Sequence, residues 1–218
     1  DLTEILTLLN KQGKYSEVFN YNYNDENYQI LYEKAFANLH LNKLKEAENL
    51  INKALLANDS GKNHLLKSKI LYKMNKKDEA AKILEPLAIE NNNADFLNFL
   101  GLIKQYKQEY KTAISYFINA QKIEPNNSEY YYNCASTYFK SGDLQQAKKY
   151  YNLAISLAPD NQNYHFALAN FYYSQKQYKR AIEELKYDFF EANLLKSIIF
   201  YDSGYYAIAK KELEKLKE

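Results

Sequence analysis

Apolar residues recur along this chain at steps of three and four. No segment alternates with the two-residue period of a half-buried strand, so the pattern predicts amphipathic helices from end to end. The clearest stretch runs from Ser128 to Asn161. Its first half places Tyr131, Cys134, Ala135 and Tyr138 on one helical face, and its second half places Ala147, Tyr151 and Ala154 on another. Glycine and proline keep the same beat. Gly13, Gly142 and Gly204 each stand a few residues before a small residue that opens a second run, and Pro125 and Pro159 close such runs 34 residues apart. Asn126-Asn127 and Asp160-Asn161 follow those prolines and can cap the next helix.

The small residues that open the second runs are Val18, Ala47, Ala80, Ala113, Ala147, Ala181 and Ala209, spaced by 29, 33, 33, 34, 34 and 28. Seven helical hairpins are implied, about fourteen helices in all. One hairpin cannot bury its apolar faces alone, so the expectation is a single array over 1–218, with repeats at roughly 1–27, 28–60, 61–93, 94–127, 128–161, 162–189 and 190–218. The connections at Tyr21–Asn27 and Tyr187–Glu191 shorten two periods, and Pro86 falls inside a second helix, where it should kink it.

In Tyr131, Cys134, Ala135, Tyr138, Gly142, Ala147, Tyr151, Ala154 and Pro159 the chain resembles the tetratricopeptide repeat family. Leu97, Leu100, Gly101, Ala113, Phe117, Ala120 and Pro125 follow the same order, with Lys104 in the aromatic place; His165, Leu168, Ala169, Tyr172, Ala181 and Leu185 follow it without the final alanine and proline. Lys34 and Lys67 fall where leucine is expected, which suggests first helices shifted by a residue. Segments 65–72 and 194–201 agree at six of eight positions and keep the outer repeats in the array. The resemblance implies an all-α solenoid of about seven helix-turn-helix units in a right-handed superhelix, its concave surface lined by the first helices.

Charge and chemistry narrow the function. Lys plus Arg total 29 against 27 acids, scattered along the chain, so there is no footprint for nucleic acid. No window approaches the ~18 apolar residues of a membrane span. Phosphate-cradling loops, paired-cysteine spacings, His-Glu-x-x-His and nucleophile elbows are missing, so no catalytic, cofactor or metal site is expected. His165 sits in a bulky packing place, His40 and His64 lie near helix ends, Cys134 fills a buried slot, and Glu183 and Glu184 belong to a charged, solvated helix face. The chain opens at Asp1 without methionine, which implies a leader, anchor or preceding domain. The compartment stays open between cytoplasm and a bacterial periplasm or envelope.

By the resemblance, the concave stripe comprises Tyr32, Phe36, Leu65, Tyr72, Leu102, Tyr106, Tyr132, Phe139, Phe166, Tyr173, Leu194, Ile198 and Tyr201, with Asn133, Asn163 and Asn170 able to bond a peptide backbone. Phe36, Leu102 and Ile198 stand where a purely structural helix could be polar, which favours a binding surface. The carboxylate clamp of the family's chaperone-binding members is not reproduced: Asn133 matches, but Asn98, Leu102, Asn163 and Ala167 do not. The expected function is a non-catalytic scaffold that holds a partner's helix or extended peptide in a weakly charged, aromatic groove. The alternative is the regulatory or substrate-recruiting arm of a larger enzyme or of a bacterial envelope assembly.

Overall fold

The structure, a computed structural model, describes residues 1–21, 27–91 and 93–217, so residues 22–26 of the shortened connection lie outside the described residues. Fourteen α-helices and no strand occur among the described residues. In chain order they come as successive pairs: α1 (Leu2–Lys11) then α2 (Tyr15–Asn20), α3 (Tyr28–His40) then α4 (Leu44–Ala57), α5 (Gly61–Lys73) then α6 (Lys77–Asn91), and α7 (Ala94–Tyr106) then α8 (Tyr110–Ile123). The remaining pairs are α9 (Ser128–Ser141) with α10 (Leu144–Leu157), α11 (Gln162–Ser174) with α12 (Tyr178–Glu184), and α13 (Phe190–Asp202) with α14 (Tyr206–Glu214).

One backbone device makes every hairpin. Each turn contains a residue in the left-handed region: Gly13, Asn42, Asn75, Gln108, Gly142, Lys176 and Gly204, with φ between 56° and 87°. The small residue that opens the second helix follows five positions later in all seven, and every one of these is buried. Seven positions before the turn residue stand Leu6, Ala35, Ser68, Gly101, Ala135, Ala169 and Ser197, also all buried. The first helices carrying Lys34 and Lys67 are therefore in phase, and no one-residue shift occurs. The two lysines occupy the leucine-like place half-buried, and Lys34 runs its stem out to set Nζ 2.7 Å from the Tyr21 carbonyl oxygen.

Capping follows the prolines as expected: Asn127 accepts from the Glu129 backbone N–H at 3.2 Å and Asn161 from that of Asn163 at 3.0 Å. The helix α6 runs through Pro86, which lies on its exposed side. Helix lengths are not uniform. The helix α12 has 7 residues where α10 has 14; Leu185, just past its end, is still buried, but the alanine that α10 buries at Ala154 is replaced by exposed Asp188 at the equivalent place.

The chain divides into two compact units, residues 1–103 and 104–218. In the first, Leu31, Ala35, Ala47, Ile51, Leu66 and Ile70 form one core cluster, and Leu6, Val18, Ile30 and Ala37 another. In the second, Ala135, Ala147 and Tyr151 meet Leu168 and Phe171, and the same cluster runs on to Leu185, Leu195 and Ile199. Each hairpin within a unit thus closes the apolar face of the one before it, which is how a repeat too small to fold alone is stabilised.

Candidate functional site

In the second unit the first helices α9 and α11 stand side by side, and the 34-residue period carries Tyr132 onto Phe166. These two, with Phe139, Asn133, Asn163 and Asn170, line one pocket of about 600 Å³. Ring packing fixes its walls: Tyr132 stacks on Tyr164 at 4.9 Å and 21°, Phe139 meets Phe171 edge-on at 5.6 Å, and Phe166 meets Phe189 at 5.6 Å. Burial and the neighbouring Tyr164 push the Tyr132 phenol above its ordinary value, so it stays a neutral hydroxyl. The asparagines differ in what they can offer. Asn133 is buried, Asn170 already donates from Nδ2 to the Phe166 carbonyl oxygen at 2.9 Å, and Asn163 is exposed at the mouth.

Other members of the expected stripe do not join this pocket. Tyr106 ends α7 with just over half of its surface exposed, and Tyr173 donates its hydroxyl to Asp202 at 2.8 Å. On α13, Leu194 is half-buried while Ile198 and Tyr201 are exposed, Tyr201 lying edge-on to Tyr206 at 5.2 Å. In the first unit Tyr32 lies beneath Lys62, whose Nζ is 3.9 Å from the ring centroid, and Tyr72 packs edge-on against Phe99 at 5.5 Å. Leu65 and Leu102 are half-buried. Phe36 packs against both Tyr15 and His40, which stack on each other at 4.4 Å, so its aromatic character has a packing cause.

Glu129, Tyr151, Asn161, Tyr164 and Ala167 complete the lining and were not expected there. Tyr164 had a signal: it repeats Tyr130 at the 34-residue period, and Tyr130 is fully buried, its hydroxyl donating to Glu124 Oε2 at 3.0 Å.

The residues with reactive groups are built into the frame. Burial pushes the Cys134 thiol up to about 12, with the Gln121 amide working against it, so it is not a nucleophile near neutral pH. His64 Nε2 lies 2.5 Å from Asp59 Oδ1. His165 donates from Nε2 to the Pro159 carbonyl oxygen at 2.9 Å, and its Nδ1 lies 2.7 Å from Glu184 Oε2. Glu184 is therefore not a solvating residue as its place beside Glu183 suggested; it turns inward to a buried ring. Among the described residues no three His, Cys, Asp or Glu side chains group as metal ligands, and no helix is long and apolar enough to cross a membrane.

The tetratricopeptide repeat family model matches residues 94–127 and 128–161. No curated protein matches the chain. Among solved structures, a tetratricopeptide repeat protein from Parabacteroides merdae superposes with a TM-score of 0.71 at 17% identity, covering 99% of this chain and 91% of that one. Pseudomonas aeruginosa PilF gives 0.70 at 17% identity over 93% of each chain, and MamA from Desulfovibrio magneticus 0.59 at 15% identity over 72% of this chain and 90% of that one. Repeats of this kind generally bind other proteins and generally do no chemistry themselves. Two repeats match the tetratricopeptide repeat model outright, and the same turn, small-residue and burial places recur in the other five hairpins, so the fold is that of a tetratricopeptide repeat array.

Proposed function

We propose that the chain is a non-catalytic interaction module and that its second unit holds an apolar segment of a partner protein, helical or extended, in the pocket between α9 and α11. The observation that carries this reading is the convergence of Tyr132, Phe139 and Phe166 on one 600 Å³ concavity with an asparagine rim. Aromatic rings held by their neighbours lose little entropy on binding, and anchors of this type cost ~2 kcal/mol or more when truncated. Nucleic acid is not the proposed partner, because the lining offers no cation to a phosphate. With a single carboxylate, Glu129, at the pocket, salt should change affinity only slightly.

The test is capture of partners by the purified chain and by a Tyr132→Ala/Phe166→Ala double variant with unchanged helicity. Loss of the captured protein by that variant, with retention by Leu153→Ala on the exposed side of α10, supports the reading. The reverse pattern sinks it.

A further inference from the structure

The first unit has a pocket of different chemistry. About 320 Å³ opens between α1, α3 and the start of α5, and Glu33 is in its lining. Glu33 is 6% exposed, an unusual burial for a carboxylate. It stands nine residues before its turn residue Asn42, the place that Asn133 occupies before Gly142, so the position that is a neutral amide in the second unit is an acid here.

Its donors are too few. Oε1 accepts from the Thr7 hydroxyl at 2.8 Å and Oε2 from Asn10 Nδ2 at 2.7 Å, both neutral groups. An ionised carboxylate has about four lone-pair sites, so roughly half remain open. Asn10 is itself buried and its Oδ1 has no partner at all. Of these two groups Glu33 is the one that lines the pocket, and a buried carboxylate left short of donors calls for a donor-rich cation. The mouth already attracts one: the Lys62 ammonium rests on the Tyr32 ring, without reaching ion-pair distance of Glu33.

We propose that this pocket receives the guanidinium group of an arginine side chain on a partner protein, with Glu33 as counter-ion and Tyr32 as its aromatic wall. Guanidinium rather than ammonium fits because both Glu33 carboxylate oxygens keep open lone pairs, and a planar fork of N–H donors can meet the two together while stacking on the Tyr32 ring that lines the same pocket. Lys62 is then a resident competitor that the incoming cation displaces. This inference stands apart from the aromatic pocket of the second unit and does not need it.

The experiment is a titration of the full isotopically labelled chain, followed through the amide signals of Thr7, Asn10 and Glu33. The probes are N-acetyl-arginine amide, N-acetyl-lysine amide and the neutral isostere N-acetyl-citrulline amide. Saturable shifts with the arginine probe are expected, with binding at least about ten-fold weaker for citrulline and weaker for lysine. Glu33→Gln should lose a similar factor, and Lys62→Met should gain a few-fold. Should Glu33→Gln not fold, the citrulline comparison and Lys62→Met decide by themselves. Equal response to arginine and citrulline, no saturable shift with arginine, or no gain in Lys62→Met would overturn the proposal, and an equal lysine response would overturn the guanidinium assignment.

Discussion

Tyr131 and His165 hold the same place in successive repeats, and each donates a hydrogen bond to the carbonyl of the proline six residues before it, both at 2.9 Å. The imidazole is thus a substitute for a tyrosine hydroxyl, tying the start of its helix to the preceding connection. It adds a second contact that Tyr131 lacks, the 2.7 Å approach of Nδ1 to Glu184. Removing the two donors should have unequal effects. Tyr131→Phe loses one neutral bond near solvent and should cost about 1 kcal/mol or less, whereas His165→Phe leaves the partly buried Glu184 carboxyl without its hydrogen-bond partner and should cost about 1 to 3 kcal/mol. Pro159 keeps the Tyr187 hydroxyl at 3.3 Å in that variant, so the loss falls mainly on Glu184. Urea unfolding of the two variants checks the order; equal costs would mean that the Glu184 contact contributes nothing.

Left-handed turns supply a second prediction. A side chain with a Cβ is strained at positive φ, by roughly 1 kcal/mol, with asparagine strained least. Gln108 at φ 60° and Lys176 at φ 56° bear that strain, while Asn42 and Asn75 bear less. Gln108→Gly and Lys176→Gly should each stabilise by about 0.5 to 1 kcal/mol, the gain reduced by the greater freedom of glycine in the unfolded chain. Asn42→Gly and Asn75→Gly should be close to neutral. Thermal melts of the four variants test the ranking.

These turns also show how far the sequence could be read. Gly13, Gly142 and Gly204 announce three of seven, because glycine is the residue that the conformation itself selects. Gln108 and Lys176 announce nothing, since their side chains do not prefer the conformation that the turn requires. The pocket divides the same way. Tyr132 and Phe166 were legible because they repeat with the hairpins. The stacking of Tyr164 and the inward turn of Glu184 depend on distances between helices, which periodicity along one helix does not carry. Glu33 was invisible for a related reason: an acid in a helical pattern reads as solvent-facing, and only the arrival of Thr7 and Asn10 from α1 buries it.

Close helix crossing predicts intolerance of volume at the small positions. Ala113 and Ala147 have no exposed surface. Ala147 belongs to the cluster of Ala135 and Tyr151, so added methylenes must displace neighbours already in contact. Ala147→Leu should cost roughly 1 to 3 kcal/mol, and Ala147→Gly about 1 kcal/mol through helix propensity. A neutral Ala147→Leu in a denaturant titration would show that the crossing is looser than its burial implies.

Alkaline pH should destabilise the protein through groups that fold as neutral acids. Burial pushes the Cys134 thiol up to about 12 from an ordinary 9.0, and the Tyr32 phenol up to about 12 from 10.0, aided by the Glu33 charge beside it. Tyr151 moves the same way, again chiefly through burial. Above about pH 9 the unfolded chain releases protons that the native chain retains, so their contribution is complete below that pH and is lost as pH rises toward about 12. For the fully buried Cys134 the loss is on the order of a few kcal/mol. Urea midpoints measured at successive pH values above 8 should fall, and the tyrosine ionisation absorbance should rise late for the buried rings, together with unfolding. Cys134→Val should flatten the first part of that fall whatever its absolute stability. A midpoint that holds constant to pH 11 would mean that water reaches these groups in the native state, and with it that the core between α9 and α10 opens without unfolding.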